Sequence, residues 1–217
     1  MYEFDDSYET FSDRASLIEA RGKGGSLVDA DLSFLNLIDI DLSGLDLSGA
    51  LLSGSCLKGA NLENCNLQAV FIQDADLDRV NLKGADLQQG FLQRVQLNGA
   101  DLSSADLSGT SFLLCHLQNV QMSDTRLDDA QMQGSDLSGT LFSGASLNEA
   151  MLRECDLMGT RFERCDLRGA DLRKATITHA VFEDIQAEGI LYYGLAPWSG
   201  KGGDKEWDKV LPTFDGE

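Results

Sequence analysis

The side chains with the most obvious chemical potential are carboxylates. The chain of 217 residues holds 36 Asp and Glu against 17 Lys and Arg, which gives a formal net charge of −19. Paired carboxylates act as general acids and bases and bind hard metal ions. Here they recur at a fixed interval, which favours outward-facing positions of a repeat over a catalytic pair. The two histidines, His116 and His179, complete no Ser/His/Asp or Cys/His arrangement.

The five cysteines offer thiol chemistry or a metal site, but their spacings match no zinc pattern. Cys65, Cys115, Cys155 and Cys165 stand where the repeat otherwise has Ala, Val or Thr, and we predict that they are buried as small apolar residues. Cys56 precedes a central leucine and is predicted to face outward. The sequence therefore predicts a protein that is not an enzyme and that has no metal site and no cofactor.

A five-residue repeat over residues 26–185 must position all of these side chains. The second residue of each five is apolar, from Leu27 to Phe182, and 24 of these 32 central positions are Leu. The residue two before each central position is small or apolar, and the other three are mostly polar. Neither an α-helix nor a flat strand buries residues five apart on one face. Each unit is therefore interpreted as one side of a coil that stacks on the next coil.

These residues, in segments such as SLVDA DLSFL NLIDI DLSGL, resemble the pentapeptide-repeat family, whose pattern is A-[D/N]-L-x-x. The resemblance implies an all-β solenoid, a right-handed quadrilateral parallel β-helix with four pentapeptides per coil and about eight coils for 32 repeats. Residues 20 apart then lie in one column, so Phe142, Phe162 and Phe182 are predicted to stack inside the coil.

The repeat divides the chain into three predicted parts: an N-terminal cap over 1–25, the β-helix over 26–185, and a C-terminal cap and tail over 186–217. The first cap is predicted to be a short helix with Ser7 as N-cap, because apolar residues recur at helical spacing. The C-terminal part is predicted to contain a second short helix, and a dimerisation element is the alternative there. The apolar residues concerned are Tyr8, Phe11, Ala15 and Ile18 in the first helix, and Trp207, Val210 and Leu211 in the second.

The charge is −3 in 1–25, −13 in 26–185 and −3 in 186–217. An acidic surface argues against direct nucleic-acid binding, which needs clustered Lys and Arg. The negative charge indicates either a partner with a basic surface or a role in solubility alone. We find neither an apolar run long enough to span a membrane nor signal-peptide architecture, and we expect a cytoplasmic protein.

One outer column of the predicted coil is apolar instead of polar. The column that begins at Asp31 is mostly apolar, and Phe34, Leu113 and Leu114 fall on the same side; its later members are Leu51, Phe71, Phe91, Ser111, Gln131 and Met151. Such a contiguous surface predicts a protein partner, unidentified by the sequence, or self-association as a homodimer, unless a terminal segment covers it. We call these six residues the apolar strip: Leu51, Phe71, Phe91, Leu113, Leu114 and Met151.

Two functions remain open at this point. The first is an interaction scaffold or regulator that binds its partner through the apolar strip. The second is implied by the resemblance: Qnr-type quinolone-resistance members are dimeric acidic rods that bind DNA gyrase or topoisomerase IV as DNA mimics. This chain lacks loop insertions of the kind that Gram-negative Qnr proteins carry. The candidate residues for mimicry are Asp46, Asp86, Asp106 and Asp136.

Overall fold

The computed structural model describes residues 11–22 and 26–192, which form a parallel β-solenoid with a short helix at its N-terminal end. Three-residue strands build two parallel three-stranded sheets, β1-β2-β3 and β4-β5-β6. The elements are α1 (Arg14–Gly22), β1 (Phe71–Gln73), β2 (Phe91–Gln93), β3 (Ser111–Leu113), β4 (Leu141–Ser143), β5 (Arg161–Glu163) and β6 (Val181–Glu183).

Main-chain pairing joins residues that are 20 apart, as the repeat predicts. Parallel bridges at this separation run from Asp31 paired with Leu51 to Asp171 paired with Leu191. Most sides pair through such single bridges, and six sides are regular strands. Four five-residue sides therefore make one coil. The ladder extends beyond Ile185, and Ile190 is buried in the last described coil.

The four sides differ in the residues they present, and each recurs at intervals of 20. The acidic side holds residues 26–30 and the corresponding residues of each later coil. The apolar side holds 31–35, the third side 36–40 and the fourth side 41–45, with their later counterparts. The acidic side thus lies opposite the third side, and the apolar side lies opposite the fourth.

Each corner of the coil is turned by a residue in the left-handed conformation. The residue two after every central position, from Asp29 to Gly189, has a positive φ, and 20 of these residues are not glycine against 13 that are. Glycine therefore fills only part of these positions, because the coil imposes the conformation at every corner. Asp and Asn adopt it more readily than other non-glycine residues, which explains why they share this position with glycine.

The interior is filled by the central residues and by the small residue two before each. Phe142, Phe162 and Phe182 stack with ring centroids 4.9 and 5.0 Å apart, which confirms the predicted column. Apart from Ser55, the buried Ser, Thr and Cys at the small position donate to the carbonyl oxygen of the central residue 23 positions earlier, as Thr140 Oγ1 does to Leu117 O at 2.7 Å. These bonds satisfy polar groups that would otherwise be buried without a partner.

The helix α1 covers the first coil, but its buried face differs from the prediction. Leu17 is buried, whereas Ile18, predicted to face inward, is 51% exposed. Asp13 caps the helix, since its Oδ1 accepts a hydrogen bond from the Ser16 amide at 2.8 Å. The predicted N-cap Ser7, the residue Tyr8 and the predicted C-terminal helix all lie outside the described residues.

Candidate interaction surface

The apolar strip lies on one side of the solenoid, as the repeat predicts. Leu51 pairs with Phe71, Phe71 with Phe91, and the same column continues through Ser111 and Gln131 to Met151. The central residues beside them point inward and are buried, so the strip adds nothing to the core. The apolar residues of this column are thus displayed on the outer surface.

The centre of the strip is a stacked aromatic pair. The rings of Phe71 and Phe91 have centroids 5.0 Å apart and an interplanar angle of 9°. Phe71 is 37% exposed and Phe91 is partly buried. Both rings stand on neighbouring strands whose main chains are hydrogen-bonded, so their spacing is set by the strand spacing of ~4.8 Å. The pair is a preformed apolar surface.

The remaining strip residues extend this surface towards the C-terminal end of the rod. Leu114 is 55% exposed and adopts φ 55°, a left-handed conformation unusual for a large apolar residue. Its Cδ2 lies 3.0 Å from the position that a Cβ of Gly134 would take, so the leucine covers that glycine. Leu113 is half-buried on the same side, and Met151 is 43% exposed.

One exposed aromatic residue outside the strip also lies on this side. Phe34 is 83% exposed and has φ 61°. A Cβ on Gly54 would lie 2.5 Å from the Phe34 ring, so the glycine in the next coil makes room for it. The repeat pattern places Phe34 at a corner of the apolar side, and the structure shows the ring exposed there.

The apolar side differs from the other three in charge. It carries four acidic and four basic side chains within 26–185, whereas the acidic side carries eight acids and two bases. Most of its charges pair with one another: Arg94 contacts Asp74 through two hydrogen bonds of 2.7 and 2.8 Å, and Lys174 contacts Glu154 at 3.0 Å. The bonds from Arg94 lower the pKa of Asp74. The strip therefore lies within a side of no net charge.

The four candidate acidic residues do not form one group. Asp46, Asp86 and Asp106 share a column on the acidic side, with Asn66 between the first two. Asp136 belongs to the third side, which is opposite, so it does not contribute to the same surface.

Each of these aspartates also has a structural role. The Oδ1 of Asp86, for example, accepts a hydrogen bond from the amide of Gln88 at 3.0 Å. The Ser48 amide is the main cause of the lowered pKa of Asp46. Asn66 makes the same contact with the Gln68 amide at 3.2 Å. The contact with the turn thus depends on the side-chain oxygen and not on the charge.

The other candidates for chemistry remain apart. His116 and His179 occur on the third side in different coils, and among the described residues no three His, Cys, Asp or Glu side chains are placed to hold a metal ion. A cavity of about 820 Å³ lies outside the core, lined by residues of the first coil such as Phe34 and Ile38 and by Arg14 of α1. Cys56 is partly exposed and the other four thiols are buried, as predicted. No helix in the described ranges is long and apolar enough to cross a membrane.

Sequence reasoning missed two features of this surface. Several ion pairs join residues 20 apart, such as Arg94 and Asp74, and could be found by reading the columns for opposite charges. The neutrality of the apolar side becomes visible only when the charges are counted separately for each of the four sides of the coil.

Comparison with known proteins gives a family and a set of solved structures. The family model described as "Pentapeptide repeat region" matches residues 90–172, and "Pentapeptide repeats (8 copies)" matches 30–68 and 46–84. No curated protein matches the chain.

Among solved structures, full-length QnrB1, a plasmid-mediated fluoroquinolone resistance protein, is 16% identical over 88% of this chain and 91% of its own, with a TM-score of 0.44. HetL, involved in heterocyst differentiation regulation in Nostoc sp. strain PCC 7120, is 22% identical over 84% and 98%, with a TM-score of 0.30. A pentapeptide repeat protein from the Arabidopsis thaliana thylakoid lumen is 26% identical over 59% and 69%, with a TM-score of 0.26. The assignment of the chain to a family rests on the two family models and not on these structural alignments.

Proposed function

We propose that this chain, which belongs to the pentapeptide-repeat proteins, acts as a non-enzymatic scaffold that binds a protein partner through the apolar strip. The observation that carries the proposal is the stacked, outward-facing pair of Phe71 and Phe91 on the one side of the rod with no net charge. Contiguous apolar surface of this kind marks interaction sites in soluble proteins.

The shape of the surface favours a protein over other ligands. Small molecules bind in concave pockets, whereas the strip follows the outer wall of a solenoid whose interior is filled by buried side chains. Nucleic acid requires a basic surface, and every other side of this rod is acidic. We place the interaction in the cytoplasm, where the five cysteines would stay reduced.

The test compares the strip with an equivalent column elsewhere. Phe71→Asp with Phe91→Asp should remove captured proteins from a native lysate pull-down, while the melting temperature stays close to that of the wild type. The matched control is Leu141→Asp with Val181→Asp, which changes two half-buried apolar residues at the same repeat position on the fourth side. Capture of the same proteins by the strip variant would contradict the proposal. Unfolding of that variant alone would show that the strip is structural.

A second candidate function is that of an acidic DNA mimic that binds DNA gyrase or topoisomerase IV, and the acidic side favours it. Asp46, Asp86 and Asp106 repeat at the coil spacing of ~4.8 Å or its multiples, and duplex DNA also presents regularly spaced negative charge. A protein surface shaped for DNA would meet a similar field on this side.

The mimicry hypothesis has a test that leaves the fold intact. Asp46, Asp86 and Asp106 changed together to Asn keep the side-chain oxygen that bonds to each turn but lose three charges. Inhibition of gyrase supercoiling by wild type should fade with rising salt and should be lost in this triple variant. Asp136→Asn, on the opposite side, is the control and should act as wild type does. Absence of any wild-type effect on either topoisomerase would end this hypothesis.

A further inference from the structure

We propose that the apolar side packs against the same side of a second copy of this chain, in an antiparallel two-fold dimer. The inference rests on the proposed function, because it names the partner of the same surface. Isologous dimers are the commonest oligomers, and in them the same surface patch of each copy contacts its counterpart on the other copy. The apolar side has the composition that such a patch requires: exposed Phe71, Leu114 and Met151 among balanced charges.

Charge selects this side for self-association. Within 26–185 the acidic side has eight acidic and two basic residues. The third side has five acidic and two basic residues, and the fourth side has seven acidic and three basic residues. Two copies that meet on any of these sides bring like charges together, which disfavours the contact. On the apolar side, with four of each sign, this repulsion is absent.

The order of charges along the apolar side selects the antiparallel arrangement. Its first three coil rows carry Asp31 and Asp74 and no base. From the row of Arg94 onward it has four bases and two acids. A parallel dimer would place Asp31 against Asp31 and Asp74 against Asp74, whereas an antiparallel dimer turns the acidic rows at the start of one copy towards the later rows of the other, where Arg153 lies.

Two further residues fix the register. Neither Asp31 nor Arg153 belongs to a salt bridge within the described residues. If they face one another across the interface, the two-fold axis passes through the row of Phe91, since Phe91 lies 60 residues, or three coils, from both Asp31 and Met151. Each Phe91 ring then meets its own counterpart. At ~4.8 Å per coil the facing rows extend over roughly 29 Å.

The first experiment exchanges the charges. Light scattering of the full chain across the micromolar range should show a dimer, and Asp31→Arg or Arg153→Asp alone should raise its dissociation constant about tenfold. The double variant should return to the wild-type value, because both cross-pairs are restored. Lys83→Asp on the fourth side is the control and should change nothing. A monomeric wild type, or a double variant weaker than either single one, overturns the proposal.

The second experiment detects the axis directly. In a Cys56→Ser background, Phe91→Cys should oxidise to a covalent dimer in high yield, because a residue on a two-fold axis meets itself. Leu141→Cys, half-buried on the opposite side, should form no covalent dimer. Equal yields from the two variants overturn the proposed axis.

These outcomes separate the dimer from the scaffold function. A monomeric wild type whose captured partner is lost with Phe71→Asp and Phe91→Asp overturns the dimer and leaves the scaffold intact. If both dimer experiments succeed and the protein captures nothing from its native lysate, the dimer is supported and binding of a different protein to the strip is ruled out.

Discussion

Replacing Phe162 by Leu should measure what the buried aromatic stack contributes to stability. Phe162 is fully buried between Phe142, at 4.9 Å and 2°, and Phe182, at 5.0 Å and 9°. Aromatic pairs contribute about 0.5–1.5 kcal/mol beyond their buried area, so two lost pairs predict a cost of about 1–3 kcal/mol. Leucine is the usual central residue of this chain, and it should fit the coil without disturbing its neighbours.

Two companion variants calibrate this value. Phe182→Leu loses one pair from a partly exposed position, so it should cost about half as much as Phe162→Leu. Phe162→Ala also leaves a cavity and should cost at least about 3 kcal/mol. The assay is equilibrium urea unfolding followed by far-ultraviolet circular dichroism, with an unchanged slope as the sign that the unfolding reaction is the same. Equal costs for the leucine changes at 162 and 182 would refute the stacking argument.

The remaining predictions concern the core, the thiols and acid stability. Leu107→Asp buries an unpaired charge and should cost several kcal/mol or prevent folding, as measured by the same urea titration. Thr140→Val removes the hydrogen bond of the buried hydroxyl to the preceding coil and should lower the free energy of unfolding by about 1 kcal/mol. Thr140→Ser keeps the hydroxyl and should retain most of that contribution. A thiol reagent at pH 8 should label Cys56 rapidly and the four buried cysteines only in denaturant, as counted by mass spectrometry. Burial shields those four thiols from the reagent and also raises the pKa of Cys115, Cys155 and Cys165. The Arg168 guanidinium lowers the pKa of Asp166 by hydrogen bonding, so this contribution to stability is present at neutral pH and is lost as the pH falls through the lowered value. Arg168→Gln should raise the pKa of Asp166 in a nuclear magnetic resonance titration, and an unchanged value would contradict the assignment.

The repeat made most of the fold predictable because a single period dictates both burial and pairing. The stack of Phe142, Phe162 and Phe182 and the column of the apolar strip follow from counting in twenties. The period has nothing to say about residues that do not repeat. The buried face of α1 was therefore predicted wrongly, since Leu17 and not Ile18 packs inward.

The candidate site was predictable in its position but not in its setting. The column rule placed Phe71 beside Phe91, and the parallel ring stack then follows from strand spacing. Whether a side is neutral depends on charges from eight separate parts of the sequence, which no local pattern shows. Grouping Asp136 with Asp86 overlooked the quarter-turn that each five-residue step makes.

The uninterrupted pairing at a separation of 20 also limits how this gene can change length. Loss of 20 residues from the middle would shorten the rod by one coil and leave every column aligned. Loss of five residues between Leu114 and Met151 would keep each local turn intact, yet it would rotate everything downstream by one side and carry Met151 off the apolar face. Deletions of a whole coil thus leave the composition of each side unchanged, whereas deletions of a single repeat move the downstream residues to a different side.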